Sequence, residues 1–255
     1  MITSTSNAEI KNIIKLLKNT KLRKEQGVFV VEGIRMFKEV SKQQIKKIYV
    51  SETAVEKYKV ELENVVYEIV SDHVYKTMSD TQSPQGVMVL VNMLEYELES
   101  ILKKENPLLI ILDNLQDPGN LGTIIRTAEG AGIDGIIMSK DTVDVYNPKV
   151  VRATMGSVFR VPIVVVEDLV STLDLIRAKD INVFGAHLLG ESFYRENYKT
   201  GSAFLIGNEG NGLSDIIASK ANKLIKIKML GKVESLNAAT AATVLMYEAM
   251  RQREN

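Results

Sequence analysis

The sequence contains no cysteine and no tryptophan, and its 255 residues include only two histidines and five prolines. The absence of cysteine excludes disulfide bonds, thiolate nucleophiles and sulfur-ligated zinc. The two histidines, His73 and His187, are too few for a histidine-based metal site. We therefore expect a protein that works without a metal ion.

Long apolar runs and net charge are missing as well. No stretch of about 18 apolar residues occurs, and the N-terminus has no charged segment followed by an apolar run. Lys+Arg and Asp+Glu both number 32, with 45% apolar residues, which is an ordinary globular composition. We expect a cytoplasmic protein of one large or two modest domains. The net charge gives no indication of a partner, because a neutral total can conceal a basic stripe.

One charge segregation is present near the N-terminus, where apolar spacing predicts a helix over residues 8–24. Residues 11–24 contain no acid. Either a solvated helix face or a contact with RNA phosphates would explain this pattern. The candidate RNA-binding residues are Lys11, Lys15, Lys18, Lys21, Arg23 and Lys24.

The chain reads as two α/β domains joined by a polar segment. Short β-rich runs alternate with helical stretches through residues 1–95, which predicts a small α/β unit. Residues 96–106 are polar and end before Pro107, so we expect a linker or connecting helix there. Residues 107–255 open with a continuous apolar run, typical of a strand buried on both faces, and further such runs alternate with helices. This alternation predicts a doubly wound parallel α/β domain.

Three segments of this second domain follow predicted strands and are rich in glycine, asparagine and small polar residues: 113–123, 207–212 and 227–239. Open α/β sheets bind ligands at the carboxyl ends of their strands. Purely structural roles are also open, because Asn120, Ser235 or Asn237 could cap a helix and Glu209 could be a turn residue. Phosphate-binding loops, dinucleotide fingerprints and the nucleophile elbow are absent.

In this order the three segments resemble the three sequence motifs of the SpoU/TrmH family of RNA 2′-O-ribose methyltransferases, part of the SPOUT superfamily. The motifs are Asn-x5-Arg-Thr from Asn120, Gly-Asn-Glu-x-x-Gly from Gly207, and Glu-Ser-Leu-Asn from Glu234. The resemblance spans residues 108–250, and the run from Phe29 to Gly33 with the unit after it resembles the family's small substrate-binding domain. Each motif alone is weak, but the three together are specific.

The resemblance implies a parallel-sheet domain with a C-terminal trefoil knot, and a homodimer with its C-terminal helix at the interface. It implies an S-adenosylmethionine-dependent methyltransferase acting on RNA, with ribosomal RNA favoured over tRNA. The implied cofactor-binding residues are Gly207, Ile227 and Leu236, with Met229 and Ala186 lining the adenine pocket. The implied catalytic residues are Asn120, Arg126, Glu209, Ser235 and Asn237.

Physical chemistry suggests roles for these side chains. A guanidinium stays protonated in proteins, so we expect Arg126 to clamp phosphate and not to act as the general base. Asn120 and Ser235 would hold the substrate hydroxyl, Asn237 would fix the loop over the cofactor, and Glu209 would orient Arg126 or brace the knot. Lys228 stands where the family usually has proline, which would loosen the cofactor loop.

Two other functions remain open at this point. A knotted methyltransferase could instead modify a base nitrogen. A catalytically idle RNA-binding protein could retain the same fold. The set of polar motif residues favours ribose methylation over both.

Overall fold

The computed structural model describes residues 1–254, which divide into two units. Unit 1 comprises Met1–Leu94 and Asp144–Phe159, and unit 2 comprises Glu95–Val143 and the chain from Arg160 onward. The strands are β1 (Val28–Glu32), β2 (Ile45–Ser51), β3 (Glu68–Val70), β4 (Val87–Asn92), β5 (Leu108–Leu112), β6 (Gly135–Ser139), β7 (Ile163–Val166), β8 (Asn182–Ser192), β9 (Ser202–Ile206) and β10 (Lys223–Lys226). The helices are α1 (Ala8–Lys18), α2 (Thr20–Gln26), α3 (Ile34–Glu39), α4 (Glu52–Lys57), α5 (Asp72–Met78), α6 (Leu98–Leu102), α7 (Pro118–Gly130), α8 (Pro148–Ala153), α9 (Leu169–Arg177), α10 (Asp215–Ser219) and α11 (Ala238–Glu254).

The predicted boundaries at 1–95, 96–106 and 107–255 stay a prediction. The segment expected to be a linker or connecting helix carries the short helix α6 and lies in unit 2. Residues Asp144–Phe159 follow β6 in the sequence but lie in unit 1.

Unit 1 is built on a four-stranded sheet in the order β1-β4-β2-β3. Strand β4 is antiparallel to β1 and β2, whereas β2 and β3 are parallel. Helix α1 buries Ile10, Ile13 and Leu16, which lie on one face because their spacing is three residues. The apolar half of the predicted N-terminal helix is thus part of the core.

The predicted helix over residues 8–24 is in fact two helices that meet at Asn19. Asn19 has an extended backbone, with φ −125° and ψ 104°. Its side-chain oxygen accepts the Leu22 backbone N–H at 3.0 Å and so caps α2. A local asparagine cap therefore competes successfully with helix continuation.

Arg23 is buried inside unit 1, contrary to its assignment as an RNA contact. Only 2% of the residue is exposed. Its Nε and Nη2 donate to Asp144 Oδ2 at 2.9 and 2.5 Å, and Nη1 donates to the Leu16 carbonyl at 2.5 Å. The guanidinium is therefore out of reach of a phosphate.

The segment Asp144–Phe159 completes the core of unit 1. Tyr146 stacks on Phe29 with ring centroids 4.3 Å apart, and Phe159 lies on Phe29 at 6.1 Å. The Tyr146 hydroxyl accepts the Leu94 N–H at 3.0 Å and donates to the Leu94 carbonyl at 3.1 Å. The connection between β6 and β7 is thus also a structural part of unit 1.

Unit 2 is a six-stranded, wholly parallel sheet in the order β10-β8-β9-β5-β6-β7. Every residue of β5 is buried, as its continuous apolar run predicts. The chain proceeds outward from β5 through β6 to β7 and then crosses to the other side of β5. This reversal places a topological switch point between β5 and β9, where ligands bind in such sheets.

Helix α11 packs against α7, and hydrogen bonds hold its last turn in place. Arg253 donates to four backbone carbonyls of unit 2, those of Asn106, Tyr198 and Thr200 at 2.7–2.8 Å and that of Pro107 at 3.5 Å. Among the described residues, no helix is long and apolar enough to cross a membrane. Within residues 1–254, no group of three or more His, Cys, Asp or Glu side chains is placed to hold a metal ion.

Candidate active site

Three loops at the carboxyl ends of β5, β9 and β10 are joined by a relay of side-chain hydrogen bonds. Glu209 follows β9, Asn120 lies in the first turn of α7 after β5, and Asn237 precedes α11. Asn120 Nδ2 donates to Glu209 Oε1 at 2.9 Å, and Asn237 Nδ2 donates to Asn120 Oδ1 at 2.9 Å. The structure therefore brings three of the five predicted catalytic residues into one connected group, called the relay below.

The Glu209 carboxylate determines which group donates and which accepts in each hydrogen bond of the relay. Besides the Asn120 amide, the Glu209 carboxylate accepts the backbone N–H groups of Gln116 at 3.0 Å and Asp117 at 2.9 Å. Partial burial raises the Glu209 pKa, but these three hydrogen bonds outweigh it and the pKa is lowered overall. An ionised carboxylate only accepts hydrogen bonds, so the Asn120 amide must turn its NH₂ toward Glu209 and its oxygen toward Asn237.

The relay ends at the N-terminus of α11. Asn237 Oδ1 accepts the backbone N–H groups of Ala239 at 2.9 Å and Thr240 at 3.3 Å, which makes Asn237 a helix cap as well as a relay member. Asn120 does not cap α7, because Asp117 does so by accepting the Asn120 N–H at 2.8 Å. The role of helix cap, which the residue types alone left open, therefore applies to Asn237 and not to Asn120.

Arg126 and Ser235 lie outside the relay. Both are exposed, and neither side chain has a hydrogen-bond partner within residues 1–254. Glu209 bonds to the loop before α7 and to Asn120, so the expected role of orienting Arg126 is not what the structure shows. Two free polar side chains are therefore available to a ligand.

A cavity of about 430 Å³ lies beside the relay, within unit 2. Of the predicted cofactor-binding residues, Ala186, Gly207, Ile227 and Leu236 line it, whereas Met229 does not. Glu209 and Ser235 also line the cavity. The remaining lining residues are His187, Leu188, Leu189, Ile206, Asn208, Gly210, Asn211, Gly212, Leu213, Ile225, Lys226, Glu234, Ala238, Ala241 and Leu245.

The loop after β9 forms a tight hairpin against this cavity. Asn208 and Gly212 exchange backbone hydrogen bonds at 2.9 and 3.1 Å. A Cβ atom on Gly207 would lie 2.3 Å from the Gly212 carbonyl carbon, so only glycine fits there. Gly212 has φ +68°, which glycine adopts without strain. The loop is therefore tight, and at Gly207 the reason is contact with the loop's own backbone.

The cavity suits S-adenosylmethionine in size and chemistry. Its volume lies in the range of about 300–1,000 Å³ that is usual for small-molecule sites. Aliphatic side chains of Ala186, Ile206 and Ile225 surround it, and the hairpin after Gly207 supplies backbone polar groups. This mixture matches a ligand with an apolar ring system and polar edges.

Sequence reasoning missed several residues that shape the site. Asn208 donates from Nδ2 to the Asn114 carbonyl at 2.9 Å and accepts the Gly210 N–H at 2.9 Å, so it ties the hairpin to the loop after β5. Its place beside Glu209 in the second motif was the available signal. Gln116 and Asp117 act through backbone groups, which no side-chain pattern reveals.

Comparison with known proteins identifies the family. The model described as "SpoU rRNA Methylase family" matches residues 107–247, and that of the "MRM3-like substrate binding domain" matches residues 7–89. The chain is 32% identical over 249 residues to the 23S rRNA (guanosine(2553)-2′-O)-methyltransferase RlmP of Bacillus subtilis, covering 96% of this chain and 97% of the relative.

Two solved structures extend this similarity. The SpoU methyltransferase AviRb from Streptomyces viridochromogenes, in complex with the cofactor AdoMet, superposes with a TM-score of 0.89 at 30% identity over 98% of this chain and 99% of its own. The AdoMet-bound rRNA methyltransferase from Sinorhizobium meliloti gives a TM-score of 0.84 at 33% identity, covering 98% and 97%.

The chain belongs to the SpoU methylase family. This result confirms the predicted family, the predicted parallel α/β fold with an N-terminal substrate-binding domain, and the predicted class of S-adenosylmethionine-dependent methyltransferase. The trefoil knot, the dimer and the roles of individual residues stay predictions.

Proposed function

We propose that this protein methylates a ribose 2′-hydroxyl of ribosomal RNA with S-adenosylmethionine as the methyl donor. The observation that carries the proposal is the union of the three motif segments in one hydrogen-bonded relay beside one cavity. The choice of ribosomal RNA is supported by RlmP, a 23S rRNA methyltransferase that aligns with this chain along almost its whole length.

Four residues of the cavity wall would hold the cofactor: Ala186, Gly207, Ile227 and Leu236. When bound there, S-adenosylmethionine supplies an electrophilic methyl group. The rigid hairpin after Gly207 keeps one wall of the cavity in place, because a preformed site orients a ligand at a lower entropic cost. The three-loop relay fixes the position of that hairpin relative to α7 and α11.

We assign Ser235 to the substrate hydroxyl and treat the relay as positioning machinery. Ser235 is exposed, lines the cavity and is free of partners among the described residues, so its hydroxyl is available to a substrate. Asn120 is 9% exposed and uses both its amide nitrogen and its oxygen within the relay. It therefore holds the loops and does not reach the substrate directly.

Arg126 is proposed to bind a phosphate of the substrate RNA. The side chain is exposed on α7, and its planar fork of N–H donors matches phosphate oxygens. A protonated guanidinium cannot accept the proton that the ribose hydroxyl loses. That proton would leave through a substrate phosphate or water.

In unit 1, three lysines of α1 are proposed to contact RNA phosphates. Lys11, Lys15 and Lys18 are exposed and lie on one helix face, at spacings of four and three residues. Lys21 lies 3.8 Å from Glu25, so its charge is partly balanced. The lysines of α1 are therefore the stronger part of the predicted basic surface, and Lys24, on α2, is also exposed.

We also propose a homodimer that uses α11. Ala241, Val244 and Tyr247 recur every three residues and remain at least partly exposed, which leaves an apolar stripe on this helix. Light scattering of the purified protein would give twice the chain mass if this is correct. A Tyr247→Glu variant should shift the mass toward the monomer, and a wild-type protein that is monomeric at micromolar concentration would contradict the proposal.

The proposed reaction is tested by methyl transfer from radiolabelled S-adenosylmethionine to purified ribosomal RNA, ribosomal subunits and tRNA in parallel. We expect label in ribosomal RNA, a loss of about tenfold or more in Ser235→Ala, and unchanged transfer in Ser219→Ala, whose exposed serine lies on α10 away from the cavity. Label in tRNA alone would overturn the ribosomal assignment. RNA binding without any transfer would favour the non-catalytic alternative.

A further inference from the structure

His187 stands in the wall of the cavity, yet the proposed reaction gives it no role. It lies on β8 between Ala186 and Leu188, and all three residues line the cavity. Its Nδ1 accepts the backbone N–H of Leu189 at 3.2 Å. The ring is therefore tied to its own strand through one nitrogen.

This hydrogen bond closes an irregular part of β8. In the pairing with β10, Leu224 lies opposite Gly185, but the next residue, Ile225, lies opposite Glu191. The five residues 186–190 thus bulge out of the ladder. A Cβ atom on Gly190 would lie 2.5 Å from the Ile225 nitrogen, so the bulge is pressed closely onto β10. Bulges of this kind redirect side chains next to binding sites.

The bond to Leu189 also decides which ring nitrogen can act as a donor. A nitrogen that accepts a hydrogen bond carries no proton, so the proton of the neutral ring lies on Nε2. Protonating Nδ1 as well would set two donors against each other and break the contact with Leu189. A ring that makes this bond therefore presents its N–H donor at Nε2, at the cavity wall.

We propose that His187 is a cofactor-binding residue that donates from Nε2 to an acceptor of S-adenosylmethionine, and that a cation at this position would weaken binding of this ligand more than binding of its demethylated product. The inference rests on the proposed function. S-adenosylmethionine carries a net positive charge from its sulfonium, whereas S-adenosylhomocysteine is neutral overall. A cation at position 187 would repel the first and not the second.

Other charged groups also line this cavity and set the background field. They are Glu209, Lys226 and Glu234. Two carboxylates and one ammonium leave an excess of negative charge, which favours a cationic ligand. A lysine ammonium at position 187 would cancel that excess.

The test is calorimetric binding of S-adenosylmethionine and S-adenosylhomocysteine to the full chain at one fixed pH. His187→Gln retains an acceptor for Leu189 and a donor for the ligand, so both affinities should stay within about threefold. His187→Leu removes both bonds, and both affinities should fall about threefold to tenfold. His187→Lys should weaken S-adenosylmethionine at least about tenfold more than S-adenosylhomocysteine.

His73→Lys is the matched control, since it changes the other histidine, which is exposed on α5 in unit 1. It should leave both affinities unchanged. An unaltered ratio of the two affinities in His187→Lys, or wild-type affinity in His187→Leu, would overturn the assignment of His187 while leaving the proposed reaction standing. A wild-type protein that binds neither ligand would overturn both.

Discussion

Replacing Asp144 with alanine leaves the Arg23 guanidinium buried without its charged partner. The two side chains are 3% and 12% exposed, and the carboxylate accepts two N–H groups from the guanidinium. The remaining partners of Arg23 are the Leu16 carbonyl and the Thr20 hydroxyl, neither of which carries a negative charge. The Asp144 carboxylate also accepts the Tyr146 backbone N–H at 3.0 Å, so the variant removes this hydrogen bond together with the charge that compensates Arg23.

Removing one member of a buried ion pair costs about 3–5 kcal/mol, because the other charge stays desolvated. Arg152 and Asp80 form a second ion pair between the same two segments of unit 1, at 3.0 Å, with side chains 35% and 43% exposed. Exposed pairs contribute about 0–1 kcal/mol. Asp144→Ala should thus lower the free energy of unfolding by roughly 3 kcal/mol more than Asp80→Ala does.

The assay is urea unfolding of the full chain followed by circular dichroism, with hydrogen exchange of the β1 amides as a local measure. Protection of Val28–Glu32 should fall in Asp144→Ala and stay near wild type in Asp80→Ala. The double variant Arg23→Met with Asp144→Leu should recover most of the lost stability, since it replaces the pair with apolar side chains.

Equal and small effects of the two single variants would refute this reasoning. Such a result would mean that Arg23 reaches solvent in solution. The burial of Arg23 and the membership of residues 144–159 in unit 1 would then both be wrong.

Four further predictions concern the active site and the RNA surface. Gly207→Ala should weaken S-adenosylmethionine binding at least about tenfold in calorimetry, because its Cβ would collide with the hairpin, while Gly231→Ala, which has no neighbour within 4 Å, should bind normally. Glu209→Gln should lower the methyl-transfer rate about tenfold or more, because the new NH₂ group would face one of the N–H donors whose hydrogen bonds the carboxylate accepts. A wild-type rate would contradict the relay. Arg126→Lys should reduce kcat/KM for RNA with the free energy of unfolding changed by less than about 0.5 kcal/mol, and full activity would argue against a phosphate clamp. A triple variant with glutamine in place of Lys11, Lys15 and Lys18 should bind RNA with a slope of log affinity against log salt concentration that is smaller by about 2. An unchanged slope would exclude these phosphate contacts.

The pH dependence of the relay follows from the lowered pKa of Glu209. A carboxyl whose pKa is lower in the folded than in the unfolded state stabilises the fold fully above the unfolded value of about 4.3, and that contribution is lost as the pH falls through the folded value. The relay should therefore be intact from pH 5 to 8. Unfolding at pH 3 to 5 should be less steeply pH-dependent in Glu209→Gln than in wild type.

The buried framework of unit 2 was predictable because its signal is local. The apolar run of β5 identifies a strand buried on both faces, and the glycines after β9 identify a tight loop. These patterns arise from burial and backbone conformation, which each segment expresses in its own residues. The meeting of Asn120, Glu209 and Asn237 in one place also followed, since all three lie at the carboxyl ends of parallel strands.

Features that depend on distant partners were not predictable. Arg23 sits in a basic run and looked like its neighbours, because its partner Asp144 is 121 residues away. Nothing in the local pattern of residues 144–159 indicates that this segment of the methyltransferase half belongs to unit 1. His187 escaped notice because its role depends on a bulge in β8 that only the pairing with β10 reveals.

The most direct test of ribose methylation is alkaline hydrolysis of the labelled RNA product. A 2′-O-methyl group removes the hydroxyl that attacks the neighbouring phosphate, so a labelled dinucleotide should survive the hydrolysis and yield a 2′-O-methyl nucleoside in mass spectrometry. Label recovered entirely in mononucleotides, with the methyl group on the base, would contradict the account.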